Sequence, residues 1–312
     1  MNPVNTASQP IALSVIVRIV SGTAFLEKTL CHLMPQIQGR PIQVIVPFVS
    51  ETDGIQELPQ KFSHVLFVDM GTLQTAARRG TVAAAHEIYD RAISVGMHAA
   101  QGNVVALLED DAVPAPDWCE QVLAAQRLPY EIFGGAIEQA GSGVLNWAVY
   151  FLDFGRYQLP LREGPVSYLS DVNIAYSRRA LEAVRDGWSM RYNEVTVNWA
   201  LARQGFVLWQ RPQMIVRQDR GKLVLSDLLV ERFWWGRLFA SQRVRELSLF
   251  ARLFYFCFSP LLPFVMLARV TKKVLSGKRH RAKLLAAFPS LVLLTFTWSL
   301  GEAAGYATGR AE

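Results

Sequence analysis

Cysteine is scarce in this 312-residue chain: Cys31, Cys119 and Cys257 stand far apart and are odd in number. Their spacing offers neither a metal-binding cluster nor a disulfide framework, so three buried thiols in a reducing compartment are expected. The first ten residues, MNPVNTASQP, carry no Lys or Arg, and Arg18 interrupts the apolar run behind them. A secretion signal needs a basic start and an unbroken apolar stretch, so none is read and the N-terminal part is expected in the cytoplasm. Internal repeats and low-complexity linkers are absent. Charge is unbalanced at +6, which suits acidic partners such as nucleotides, nucleic acid or anionic lipid.

Apolar, β-branched runs at 12–17, 42–46, 64–68 and 104–108 read as strands, the second ended by Pro47. Residues 22–38 and roughly 82–100 have helical spacing. Strands alternating with helices imply an α/β fold, a mostly parallel sheet covered on both faces. After about residue 130 the pattern loosens. SDVNIAYSRRALEAV (170–184) and YNEVTVNWALARQGF (192–206) each read as a loop feeding an amphipathic helix.

The fourth strand runs into LLEDDAVPAPDW, with Glu109, Asp110 and Asp111 consecutive. Ligands of open parallel sheets sit beyond the carboxyl ends of the strands, where this triplet lies. Three adjacent acids need positive charge among them, and hard cations such as Mg2+ or Mn2+ use one or two carboxylates plus phosphate oxygens. If strand alternation persists through the triplet, Glu109 and Asp111 share a side as metal ligands, and Asp110 faces a sugar or ribose hydroxyl. His86 and residues 89–91, including Arg91, precede this strand and are candidates to line a donor pocket.

The strand, the acid-x-acid motif, the proline-containing turn and the Trp resemble the family 2 glycosyltransferases, nucleotide-sugar-dependent enzymes of the GT-A fold. The resemblance spans roughly residues 12–245. It implies an inverting transfer in which a divalent cation, held by Glu109 and Asp111, clamps the donor diphosphate, and a carboxylate takes the acceptor's proton. Glu194 matches that base. SDVNIAYSRRAL is similar to the acceptor-side stretch, which marks Asp171, Asn173 and Tyr176. Arg237 and Arg243, in WWGRLFASQRVR, resemble a basic segment that closes over the pyrophosphate, and a membrane-surface anchor is the alternative for them. Three departures stand out. Pro47 replaces the aspartate that usually ends the second strand, leaving Glu51 or Asp53 for the nucleobase. The helix block carries a lone Glu194, and Gln218 stands where a His is common.

From about residue 230 the chain turns aromatic, basic and apolar, which divides it into a glycosyltransferase domain (1–230) and a membrane-association region (231–312). Segments 249–270 and 284–301 each approach the ~20 apolar residues of a membrane span. If both crossed, the basic loop 271–283 would stay cytoplasmic and residues before 249 would lie outside, away from cytoplasmic nucleotide-sugars. Arg252, Arg269, Pro260 and Pro263 in the first segment instead favour an interfacial or re-entrant course on the cytoplasmic face. The expected partners are a nucleotide-sugar donor, a lipid-linked or glycan acceptor and anionic lipid, with no nucleic acid. A sugar-nucleotide nucleotidyltransferase would want a glycine-rich basic loop after the first strand, where RIVSGTAFLEK has one glycine. A catalytically degenerate membrane adaptor is the other alternative.

Overall fold

A computed structural model describes residues 10–244 and 247–311; residues 1–9, on which the absence of a secretion signal was read, lie outside it. The chain forms two compact units. The first comprises residues up to Gln74, Ile88–Ala136 and Leu161–Arg217, and the second Thr75–Glu87, Ile137–Pro160 and the residues from Gln218 on.

The sheet is built on β1 (Leu13–Arg18), β2 (Ile42–Phe48), β3 (Val65–Asp69) and β4 (Val104–Glu109). These four pair in parallel in the order β3-β2-β1-β4. Every residue of β1 and β4 is buried, as the continuous apolar runs require. Each fully buried Val, Leu or Ile contributes about 1.5–3 kcal/mol. Beyond β4 the sheet continues through β8 (Asn173–Ser177), which runs antiparallel to both β4 and β6 (Ile132–Gln139), and then through β9 (Leu208–Gln218) and β5 (Ala112–Pro114), with β7 (Gly164–Val166) antiparallel on β9. The sheet is therefore mixed: the first four strands pair in parallel, and β8 runs antiparallel to both of its neighbours.

Two local expectations change. Pro47 does not end β2; it lies within the strand, opposite Val68 of β3. The β1 ladder has already finished at Ile45, so the missing N–H of Pro47 falls where β2 is paired on one side only. Residues 173–177, read as loop, form a strand with every residue buried. Asn173 and Ser177 break the apolar alternation, but pairing with β4 on one side and β6 on the other overrides the local signal.

Helices Thr23–Ile37 and Val82–Ala99 fall where the spacing placed them. Ile93 and Met97 join Ile16, Ile45, Val105, Ile174 and Trp188 in one core of the first unit. Cys119 is buried, whereas Cys31 and Cys257 are exposed: Cys31 lies on the outer face of the first helix, and Cys257 on a helix that buries none of its residues.

The second unit is helical: Val144–Asp153, Leu225–Val244, Leu249–Phe258, Leu262–Gly277 and Arg281–Thr308. Its core gathers Trp147, Tyr150, Phe151, Leu228, Leu291 and Leu294. Helices Leu225–Val244 and Arg281–Thr308 approach closely through glycine. A Cβ on Gly301 would stand 2.0 Å from the Phe233 carbonyl oxygen, and one on Gly236 2.3 Å from that of Trp298, the kind of backbone approach that small residues permit. Pro260 and Pro263 fall in and just after a 3-10 turn, Ser259–Leu261, between two helices. Proline is tolerated there because first-turn N–H groups have no helical partner. Residues 249–277 and 281–308 are long and apolar enough to cross a membrane, and Leu249, Phe250, Phe264, Leu285 and Leu300 on them are exposed.

Candidate active site

At the carboxyl end of the parallel strands, Arg18 of β1 stands in register with Glu109 of β4. Arg18 is only 1% exposed. Its Nη2 donates to Glu109 Oε1 at 2.7 Å and its Nη1 to Asp171 Oδ2 at 2.6 Å. The Tyr89 ring lies under the guanidinium, 3.7 Å from carbon to centroid, and the Tyr89 hydroxyl donates to the same two carboxylates. A buried guanidinium is tolerated only when its charge is met. Burial alone would pull the Arg18 pKa down, but Asp171 and Glu109 raise it above its ordinary value. Arg18 is thus a fixed positive charge among the acids.

The triplet does not continue the strand. β4 ends at Glu109, and Asp110 and Asp111 form a turn before β5. The expected alternation therefore breaks. Glu109 faces Arg18, while Asp110 and Asp111 both turn to the loop after β1. Asp110 is fully buried and accepts the backbone N–H groups of Ser21 (3.0 Å) and Gly22 (2.8 Å). Asp111 accepts the Ser21 hydroxyl at 2.7 Å. Gly22 adopts φ +114°, a conformation that glycine alone takes without strain, and this turns its amide toward Asp110. Burial pushes the Asp110 carboxyl up to about 6, against the pull of the backbone amides of Ser21, Gly22 and Val20.

Glu194 opens the helix Glu194–Arg203, whose N-cap is the Asn193 side chain. Its Oε1 accepts the Asp171 backbone N–H at 2.7 Å, and its Oε2 accepts the Tyr168 hydroxyl at 2.6 Å. The residue is partly exposed, yet burial of its carboxyl and the nearby Asp171 charge hold its pKa well above the carboxylate range, with Tyr168, the Asp171 amide and Arg18 pulling the other way. Arg18, Asp171 and Glu194 thus form one connected chain. A carboxylate so raised is a strong proton acceptor once ionised.

The other sequence candidates are placed differently. Asn173 and Tyr176, marked as acceptor-side, are buried struts. The Asn173 amide donates to the carbonyls of Ala136 and Met214 and accepts Trp118 Nε1. The Tyr176 hydroxyl meets Tyr192 and Asn198. Neither reaches the surface, so Asp171 is the member of that stretch joined to the cluster. Glu51 and Asp53 lie exposed on the turn after β2. Arg91 donates to the Gln74 carbonyl. In the second unit Arg237 donates to the Arg310 carbonyl and stacks on Trp234, and Arg243 donates to the Tyr306 hydroxyl and stacks on Tyr255.

The pair of metal ligands read from the motif does not form as expected: Glu109 turns to Arg18 and Asp111 to Ser21. Among the described residues no three His, Cys, Asp or Glu side chains gather as a metal site. With a guanidinium already on Glu109, that carboxylate does not fit a divalent cation as arranged. Arg18, Ser21 and Tyr168 build the cluster although sequence reasoning did not single them out as site residues. The one signal was Arg18, the lone charge in an otherwise apolar strand.

A parallel α/β half-sheet with an acid cluster beyond β4, continued through the antiparallel β8, is the GT-A arrangement of nucleotide-sugar transferases. Glycosyl transferase family 2 matches residues 14–185, more than half of the chain, and the chain belongs to that family. It is similar in structure to the mannosyltransferase PcManGT from Pyrobaculum calidifontis, solved with GDP-Man and Mn2+, at 14% identity and a TM-score of 0.49, covering 92% of this chain and 74% of that one. It is also similar to residues 1–349 of S. aureus TarS in complex with UDP-GlcNAc, at 13% identity and a TM-score of 0.47, covering 90% and 78%. No match was found among curated proteins.

Proposed function

We propose that this chain is an inverting glycosyltransferase. It moves a sugar from a nucleotide-sugar donor to a hydroxyl of a lipid-linked or polysaccharide acceptor at the cytoplasmic face of a membrane. The observation that carries the reading is Glu194: a carboxyl with a raised pKa, aimed by the Tyr168 hydroxyl and the Asp171 amide beside the acid cluster. In its ionised form Glu194 takes the proton of the acceptor hydroxyl as that oxygen attacks the anomeric carbon. Attack from the face opposite the nucleotide inverts the carbon, and the nucleoside diphosphate leaves with the bonding electrons. Asp111 is buried and held by the Ser21 hydroxyl, so it is given no contact with the donor. Asp171 shapes the acceptor side through its hold on Glu194. No step is assigned to a divalent cation, because Glu109 is met by Arg18.

Residues 1–230 are assigned the transfer chemistry and 231–312 the membrane. Support for the second assignment comes from the exposed apolar side chains of 249–308 and from the cations Lys272, Lys273, Lys278, Arg279, Arg281 and Lys283 between them. Each cation near an anionic surface contributes about 1 kcal/mol. Release of the full chain from membranes by high salt alone would contradict apolar insertion. The chemistry is tested by donor turnover in wild type and Glu194→Gln. Loss of a positioned base costs about 10²–10⁴-fold, and an unchanged rate would remove Glu194 from the mechanism.

A further inference from the structure

Three consecutive carboxylates beside a fourth, Asp171, raise the question of what neutralises them, and the answer lies within the chain. We propose that Arg18 is the resident cation of this cluster: it occupies Glu109 and Asp171 and thereby removes both from the ligands available to a divalent ion. Four observations carry this. Arg18 is paired in register with Glu109 across the β1–β4 ladder, so the strands themselves set the contact. Its two terminal nitrogens are divided between two carboxylates, one each. The face of the guanidinium is covered by Tyr89, which also donates to both acids. Finally, Arg18 is sealed from solvent, so it cannot swing out to admit an ion without unpairing a buried charge.

The consequence is specific. Any divalent ion that enters this site binds without Glu109. It also meets a like charge next to the acids, which weakens it further. Arg18 is a positioning residue and not a catalytic one. It holds Asp171, whose backbone N–H holds Glu194.

The proposal concerns the site assigned above to sugar transfer. Mn2+ binding is read without donor or acceptor, so its failure and the failure of the transfer reading are separable. The experiment is Mn2+ titration of the detergent-solubilised full chain, followed by the electron paramagnetic resonance of free Mn2+. Glu109→Gln is expected to bind Mn2+ as wild type does, within about twofold. Arg18→Met, which leaves Glu109 and Asp171 facing each other without a cation, is expected to bind Mn2+ at least tenfold more tightly than wild type, and Arg18→Met/Glu109→Gln to lose that gain. A tenfold loss of Mn2+ affinity in Glu109→Gln alone would overturn the proposal, as would a folded Arg18→Met protein with no gain. Should Arg18→Met fail to fold, the Glu109→Gln comparison decides the matter by itself.

Discussion

Replacing Arg18 by Met should be among the most damaging single changes in the first unit. Met reaches only to about the Nε position and is apolar, so the packing of the aliphatic stem is kept while the guanidinium and its charge are lost. What remains is a pair of carboxylates, Glu109 and Asp171, whose side chains are only 11% and 10% exposed and which no longer have the guanidinium between them. Removing one partner of a buried ion pair costs about 3–5 kcal/mol, because the other is left as an uncompensated charge. With a urea m-value of about 3 kcal/mol/M, at the upper end of the usual range for small proteins, the unfolding midpoint should fall by about 1–1.7 M. Tryptophan fluresence suits the measurement, since Trp118 and Trp188 are both fully buried in this unit. The triple variant Arg18→Met/Glu109→Gln/Asp171→Asn should recover most of the loss, because neutral groups no longer need the cation. A midpoint for Arg18→Met within about 0.2 M of wild type, the range of an ordinary surface substitution, would refute the reasoning.

Tyr168→Phe removes a hydrogen bond that holds the Glu194 pKa down. Glu194 must be ionised to act, so the acid limb of the pH–rate profile should move to higher pH, with activity recovered on the alkaline side; an unmoved limb would contradict the assignment. Asp110 carries a stability signature of the opposite kind from a salt-bridged acid. Its folded-state pKa is raised to about 6, so its contribution is fully present below about pH 4 and lost as the pH rises through about 6, a change of roughly 3 kcal/mol. Asp110→Asn should flatten the decline in unfolding free energy between pH 4 and 7, and an identical slope in the variant would count against the burial argument. Gly301→Ala places a methyl group 2.0 Å from the Phe233 carbonyl oxygen; forcing the two helices apart should cost about 1–3 kcal/mol, seen as faster proteolysis of the second unit in detergent.

How much of this was legible in the sequence depends on what fixes each feature. The four parallel strands were, because strands buried on both faces read as unbroken apolar runs. Strand Asn173–Ser177 was not, since Asn173 is there to bridge the carbonyls of Ala136 and Met214, a need that arises only once the sheet is assembled. The acid triplet was located correctly at the end of β4, but its geometry was hidden. Strand alternation paired Glu109 with Asp111, whereas the turn at Asp110–Asp111 aims both of these at Ser21, whose amide bonds Asp110 and whose hydroxyl bonds Asp111. Arg18 was visible as the one charge in an apolar strand, yet its partners lie 91 and 153 residues away, and no local pattern encodes them. Glu194 stood out as the lone acid of its block; its coupling to Tyr168 and Asp171 emerged only from the fold.

The central claim, transfer of sugar from a nucleotide donor, is tested most directly by nucleoside diphosphate release from a panel of UDP-, GDP- and dTDP-sugars. The detergent-solubilised full chain would be assayed with membrane lipid extract as acceptor, beside Glu194→Gln. The account predicts release from one donor class that depends on the lipid extract and falls by about 10²–10⁴-fold in the variant. Release that is the same in both proteins, or no turnover of any donor, would contradict it.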